Sequence, residues 1–219
     1  MNGTSTMKDA SVMERHQHKR LNLPQSPQRL LIADDEHLVT AGISANLREL
    51  GYAVVGPASD GDEAIEICRI HQPDLALLDI RMPNMSGLDA AKTIFNQMGI
   101  PVIILSAYSD PDYVSTANHV GVFGYMLKPV TADELRVNVA IAWGRYLDYL
   151  EQDSEIVGLR SRLEDRKVIE QAKWILVKRK DISEPEAMRL LQKHARNNRR
   201  PLPEVARSIV ENEGVFNSD

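Results

Sequence analysis

Four short apolar runs in this chain each end in a group that can take part in phosphoryl or metal chemistry. Asp34-Asp35-Glu36 follows Leu30–Ala33, and Asp79 follows Leu75–Leu78. Ser106 follows Val102–Leu105, and Lys128 follows Tyr125–Leu127. Two carboxylates about 4 Å apart repel by roughly 4 kcal/mol at an effective dielectric of 20, so acids gathered at one place need a cation. A few oxygen ligands suit Mg²⁺, which keeps several waters and accepts a phosphate oxygen. A carboxylate beside such an ion can attack phosphorus, and a hydroxyl and an ammonium can hold the phosphoryl oxygens. Asp79 is the candidate nucleophile, Asp34 and Asp35 the candidate metal ligands beside it, and Ser106 and Lys128 the candidate phosphoryl partners.

These groups meet only if a fold brings the strand ends together. From Arg29 onward, apolar runs alternate with amphipathic helical windows, the runs being 30–33, 53–55, 75–78, 102–105 and 125–127. The windows fall near 37–50, 61–71, 87–98 and 111–120, and a fifth helix opens at Thr131 with a capping box to Glu134. Asp110-Pro111 supplies a cap and a proline at the first helical position of the fourth window. Continuous apolar strands alternating with helices predict an α/β fold, (βα)5, with a central parallel sheet covered on both faces. In such a sheet the functional crevice lies at the carboxyl ends of the strands, where all four groups fall.

The formal net charge of −5 hides a division. Residues 29–148 carry 8 basic and 16 acidic side chains, whereas residues 159–210 carry 14 and 7. The second segment therefore suits an anionic partner. Its pattern predicts three short amphipathic helices, with Ser183 and Glu186 forming a capping box at the second. On the first, Trp174 faces away from the apolar side and is flanked by Lys167 and Lys178. Arg189, Lys193 and Arg196 stand at i, i+4, i+7 on the second and form one basic stripe, which Arg199 and Arg200 extend. The double-proline link between the second and third helices suits a helix-turn-helix poorly, which favours RNA over duplex DNA. For Trp174 two occupants fit equally, a stacked base or a partner subunit.

Between the modules, 145–165 is free of proline and rich in helix formers. Leu147, Leu150 and Val157 suit one heptad register, while Ile156, Leu159 and Leu163 need another. Periodicity supports a short coiled coil and a monomeric linker helix equally. Residues 1–28 are polar, aperiodic and proline-rich at their end, and read as a disordered tail. A single cysteine, Cys68 in an apolar helical window, excludes an internal disulfide and fits a reducing cytoplasm. The sequence has no apolar run long enough to span a bilayer.

The motifs "LLIADDE", "LALLDIRMPNMSGLDA", "VIILSAYSD" and "GYMLKP" make residues 29–147 resemble a response-regulator receiver domain, which is flavodoxin-like. The resemblance implies that Asp79 accepts a phosphoryl group from a sensor histidine kinase. It implies Mg²⁺ held by Asp35 and Asp79, with Asp34 assisting and the backbone carbonyl of Arg81 contributing. Ser106 and Tyr125 become the switch pair, and Lys128, before a cis bond to Pro129, the phosphate partner. Residues 163–212, after a helical linker at 148–162, resemble an ANTAR domain, the RNA-binding module of transcription antiterminators, followed by a tail at 213–219. Its matching positions include Arg166, Ala172-Lys173, Ser183, Glu186-Ala187 and Val205-Ala206. Trp174 stands where that family commonly has glycine, and Arg196 where methionine is frequent. RNA contact is carried onto Lys173, Arg189, Lys193, Arg196 and Arg200.

The expected protein is thus a phosphorylation-activated regulator, not an enzyme beyond slow autodephosphorylation. It pairs as a homodimer and engages tandem hairpins in a nascent leader transcript. Two other readings stay open: an output bundle that binds DNA or a protein, and a Mg²⁺-dependent phosphohydrolase. The latter ordinarily needs a second acid beside its nucleophile, which Asp79-Ile80-Arg81 lacks.

Overall fold

The computed structural model describes residues 24–107 and 121–216. The helical window at 111–120, its Asp110-Pro111 start and most of the N-terminal tail lie outside the described residues. The chain forms two compact units that part between Glu151 and Gln152.

In the first unit, β1 (Arg29–Ala33), β2 (Ala53–Ala58), β3 (Leu75–Asp79), β4 (Val102–Ser106) and β5 (Val122–Leu127) form one parallel sheet in the order β2-β1-β3-β4-β5. Between them run α1 (His37–Glu49), α2 (Gly61–His71) and α3 (Gly87–Met98), and α4 (Ala132–Lys180) follows β5. The strands are apolar on both sides because both faces are covered. In β3, Leu75 and Leu77 join the core beneath α1 and the start of α4, with Ile43, Leu47, Leu135, Val139 and Tyr146. Ala76 and Leu78 point the opposite way, into the core beneath α2 and α3, with Ala64, Cys68, Ala91 and Ile94. Cys68 is fully buried, as its window predicts. Because all four pairings are parallel, every strand ends at the same edge of the sheet.

Two strands run three residues longer than the apolar pattern predicts. β5 begins at Val122, three residues before the predicted run, because Gly124 interrupts the apolar signal without breaking the pairing. β2 continues through Gly56-Pro57 to Ala58 with a shift of register, which an edge strand tolerates because one side of it needs no ladder partner.

Thr131 caps α4 as predicted. Its amide and hydroxyl donate to Glu134 Oε2 at 2.9 and 2.8 Å. The helix then runs unbroken to Lys180, so the predicted linker and first bundle helix are parts of one element. Two residues of the first heptad register part from the three of the second. Leu150 is buried in the first unit's core and Leu147 packs against it, whereas Ile156, Leu159 and Leu163 are exposed.

The second unit packs the end of α4 against α5 (Glu184–Asn198) and α6 (Leu202–Phe216). Its core is Ala172, Leu191, Ala195, Val205 and Ala206, ringed by Val168, Ile169, Leu176, Leu202, Ile209 and Val210. Alanine at three of the five central positions lets the helices approach closely. Arg207–Asp165 at 2.5 Å and Arg179–Glu213 at 2.7 Å add ion pairs at the periphery. No described helix is long and apolar enough to cross a membrane.

The α5 capping box has a measurable pH signature. Glu186 Oε2 accepts from the Ser183 hydroxyl at 2.6 Å and its amide at 2.9 Å. These bonds hold the Glu186 carboxyl below the ordinary value of 4.5. A depressed folded-state value contributes stability that is complete at neutral pH and is lost as pH falls below 4.5 through the folded value. Glu186→Gln is therefore expected to shrink the difference in melting temperature between pH 7 and pH 3.5. Equal differences in the two proteins would refute the box's contribution.

Candidate functional site

Strand register builds the site. Ala33 pairs with Leu78 and Asp79 with Leu105, so Asp34 and Asp79 emerge side by side from adjacent strands. Ser106 pairs with Leu127, which places Lys128 one residue beyond the same edge. Asp34 and Asp79 are almost wholly buried. Two acids in that setting require compensation, and Lys128 supplies it. Its Nζ lies 2.6 Å from Asp34 Oδ2 and 2.5 Å from Asp79 Oδ1, with Glu36 Oε1 at 3.7 Å. The Lys128–Pro129 bond is cis, as expected.

Each acid is also oriented by backbone. The Arg81 amide donates to Asp79 Oδ2 at 2.7 Å, and the Glu36 amide donates to Asp34 Oδ1 at 3.0 Å. Burial pushes the Asp79 carboxyl above its ordinary value, and the Asp34 charge adds to this, while Lys128 and the Arg81 amide oppose it. For Lys128, burial pulls downward, but its hydrogen bonds to Asp34 and Asp79 outweigh that and leave the ammonium held more firmly than usual. Lys128 is therefore a fixed positive charge against both carboxylates.

Asp35 is exposed, and carboxylate oxygens of Asp34, Asp35 and Asp79 lie within 4.8 Å of one another. A pocket of about 130 Å³ opens beside them, lined by Asp35, Glu36, Asp79, Ile80, Arg81, Ala107 and Lys128. An all-oxygen donor set with one open, solvent-facing side fits a hard divalent cation that retains waters. The groups predicted from the sequence as ligands, Asp34, Asp35, Asp79 and Arg81, all stand at this edge. A nucleophilic carboxylate, a fixed ammonium and a place for a divalent ion are the components for accepting a phosphoryl group.

Ser106 is buried at the end of β4, where its hydroxyl donates to the Ala107 carbonyl at 3.1 Å. Tyr125 pairs with Ile104 in the sheet and packs on the α2–α3 side. Its hydroxyl is buried and has no hydrogen-bond partner among the described residues, and burial pushes its pKa above the ordinary 10, keeping it protonated. Ser106 and Tyr125 thus sit on neighbouring strands, neither bonded to Asp79.

One residue absent from the predicted site shapes it most tightly. Gly87, the first residue of α3, donates its amide to the Ile80 carbonyl at 3.0 Å. A Cβ there would lie 1.9 Å from the Asp79 carbonyl oxygen. The helix therefore starts directly against the backbone of the candidate nucleophile. The only signal for this in the sequence is the glycine itself, between Ser86 and an apolar helix.

In the second unit the predicted basic groups divide. Arg189, Lys193 and Arg196 are exposed along α5. Arg200 lies 3.4 Å from Glu204 and donates to the Ser208 hydroxyl at 3.3 Å, so it is engaged with α6. Lys173 is mostly covered and sits 2.6 Å from Glu170 and 2.9 Å from Glu184. Those two carboxylates raise its ionisation and join α4 to the start of α5. Lys173 therefore has a structural duty within the bundle that the sequence did not announce, and nucleic-acid contact through it would have to displace a carboxylate. Trp174 is 52% exposed, turned away from the bundle core as predicted.

Comparison with known proteins recognises both units. Residues 30–140 match the model of the response regulator receiver domain, and residues 158–210 match that of the ANTAR domain. The chain is 36% identical over 189 residues to the transcriptional regulatory protein PdtaR of Mycobacterium tuberculosis, covering 86% of this chain and 92% of that one. It is 34% identical over 107 residues to the transcriptional regulatory protein DesR of Bacillus subtilis, covering 48% and 53% respectively. Among solved structures, the receiver domain of a modulated diguanylate cyclase from Desulfovibrio desulfuricans G20 superposes with a TM-score of 0.50 at 29% identity. That match covers 58% of this chain and 98% of the other.

Proposed function

Because this chain belongs to the response regulators that carry a receiver domain ahead of an ANTAR domain, we propose that phosphorylation of Asp79 by a sensor histidine kinase switches on binding of hairpin RNA. The RNA is a tandem hairpin in a nascent leader transcript, and the outcome is antitermination. The observation that carries this reading is a single chain in which an acidic site built on Asp79 is followed by a basic helical bundle. The setting is the cytoplasm, where nascent transcripts are found.

Asp35 and Asp79, with Asp34 and the Arg81 carbonyl, would hold Mg²⁺, which neutralises charge on the phosphoryl oxygens. The remaining work belongs to the chain. An Asp79 carboxylate oxygen attacks phosphorus, and the bond from phosphorus to the kinase's histidine nitrogen breaks. Lys128, already against Asp79, transfers its pairing to a phosphoryl oxygen. The Ser106 hydroxyl turns from the Ala107 carbonyl toward the same group, and Tyr125, whose hydroxyl lacks a partner among the described residues, follows it. The protein is a phosphoacceptor with slow loss of the group, not a turnover enzyme.

Pairing of two chains supplies affinity, since two linked modules can exceed either alone by roughly 10²–10⁴-fold when both engage. Support for pairing comes from α4. At 3.6 residues per turn, the exposed Ile156, Leu159, Leu163 and Trp174 fall within an arc of about 60° on one side of the helix. That side is opposite the one given to the bundle core, which favours a seam between subunits over a base stack for Trp174.

The test compares the full chain's binding to tandem-hairpin RNA and to duplex DNA at one salt concentration, with and without beryllofluoride. RNA binding that strengthens with the mimic, together with a doubling of mass, is the expected result. Equal, weak binding to both nucleic acids in every state would reject an RNA output. Replacing Arg189, Lys193 and Arg196 together by alanine should also flatten the salt dependence. Each lost phosphate contact on single-stranded nucleic acid removes about 0.7 from the log–log slope, so three remove about 2. An unchanged slope would clear these three of RNA contact.

A further inference from the structure

The loop that leaves Asp79 is fastened at three places, two of them already described. At its start the Arg81 amide holds Asp79 Oδ2, and at its end Gly87 is hydrogen-bonded to the Ile80 carbonyl. The middle is fastened from a different part of the chain. Asn84 donates its side-chain amide to Asp60 Oδ2 at 2.8 Å, across 24 residues of sequence. The other oxygen of Asp60 accepts the Glu63 amide at 2.8 Å and so caps α2. One carboxylate therefore bridges a helix start and the loop of the phosphoacceptor.

Two further features show that this is a built contact. Asn84 has a φ of +60°, a left-handed conformation that asparagine tolerates better than most residues and that places its amide on the loop's tip. Beside it, Gly61 lies so close to Met85 that a Cβ would stand 2.8 Å from the Met85 carbonyl oxygen and 2.9 Å from its side chain. The two loops touch backbone to backbone. The Glu63 amide and the Asn84 amide both hold the Asp60 carboxyl below its ordinary range, so the bridge is ionised throughout neutral pH.

Arg81 lines the pocket beside Asp79 and lies three residues before Asn84. Nothing but the short stretch Met82-Pro83 separates the fastened tip from the carbonyl assigned to the cation. We propose that Asp60 and Asn84 are positioning residues for the divalent-cation site: their bridge fixes the loop, and through it the Arg81 carbonyl, and so sets cation affinity. The inference rests on the receiver reading of the Asp34–Asp35–Asp79 cluster.

The experiment is Mg²⁺ titration by calorimetry on the full chain. Asn84→Gly removes the amide while keeping a residue at ease with positive φ. Asp60→Ser keeps a cap for α2 but lacks a second oxygen to reach Asn84. Groups that orient metal ligands directly change affinity by roughly 10- to 100-fold when lost. Acting through two intervening residues, each variant is expected to weaken Mg²⁺ binding by a smaller factor, about three- to ten-fold, with the double variant no worse than either single because both remove one contact. Phosphorylation by a small phosphodonor should return to the unsubstituted rate at saturating Mg²⁺, which a general loss of structure would not permit. Affinities within 1.5-fold of the unsubstituted chain (about 0.2 kcal/mol by the usual conversion), or losses that simply add in the double variant, would overturn the proposal. Should the unsubstituted chain itself bind no Mg²⁺, the receiver reading of the cluster fails, and the bridge with it.

Discussion

Asp79→Asn is expected to abolish phosphate acceptance and to leave RNA affinity the same with and without beryllofluoride. The amide cannot attack phosphorus, and no other described carboxylate stands ready to replace it. Asp34 is buried with both oxygens engaged, by the Glu36 amide and by Lys128. Asp35 is exposed and, among the described residues, has no ammonium paired with it. If activation works through pairing, the forfeited gain is roughly 10²–10⁴-fold in RNA affinity. The fold should survive the change. Burial raises the Asp79 carboxyl, so its charged form is disfavoured in the folded state, and the associated stability is present at low pH and lost as pH rises through the raised value. A neutral amide removes that loss, and Lys128 retains Asp34. Melting of Asp79→Asn at pH 7 without divalent cation should therefore occur at or above the temperature of the unsubstituted protein. A phosphorylated Asp79→Asn chain, detected by acid-labile phosphate, would overturn the assignment of the acceptor.

Gly87→Ala should be the most damaging single-methyl change in the first unit. Its Cβ would lie 1.9 Å from the Asp79 carbonyl oxygen and 2.9 Å from the carbonyl carbon, both backbone atoms of a central strand. No rotamer change relieves that contact, so α3 must retreat by more than 1 Å or β3 must move. Retreat breaks the Gly87 amide's bond to Ile80 and loosens Ala90, Ala91 and Ile94 from the core. Overpacking that shifts backbone costs about 1–3 kcal/mol, and here a lost hydrogen bond adds about 1 kcal/mol. Gly42→Ala is the control, because nothing lies within 4 Å of its Cβ position on α1. That change should stabilise by about 0.5–1 kcal/mol through helix propensity. Urea unfolding of the two variants should show opposite signs, and a Gly87→Ala midpoint equal to the unsubstituted one would disprove the close approach.

The strands of the first unit were legible because a sheet covered on both faces requires unbroken apolar runs, and few other structures do. The same logic placed Asp34, Asp79, Ser106 and Lys128 at one edge, since parallel strands in register end together. Where the reading fell short, a partner distant in sequence was at work. Gly124 hid half of β5 until β4 was there to pair with it. That Lys173 pairs with Glu184 was hidden in the same way, because Glu184 lies across a turn, on another helix. The heptad conflict in α4 had no resolution in periodicity, which cannot say that Leu150 faces one core while Ile156 faces outward. The bridge from Asp60 to Asn84 likewise joins two unremarkable polar loop residues that only the fold brings within 2.8 Å.

The order of residues around Lys128 bears on how the protein is made. Asp34 and Asp79 are synthesised on β1 and β3, and the ammonium that neutralises both arrives only after β5. With chains leaving the ribosome at about 5–20 residues per second, the acids wait several seconds for their counter-charge. A nascent chain complete through β4 carries both acids without Lys128, and docking of the last strand closes the sheet and brings that ammonium against them. The residue proposed to hold a phosphoryl group in the finished site is thus also the one that neutralises its two buried acids last.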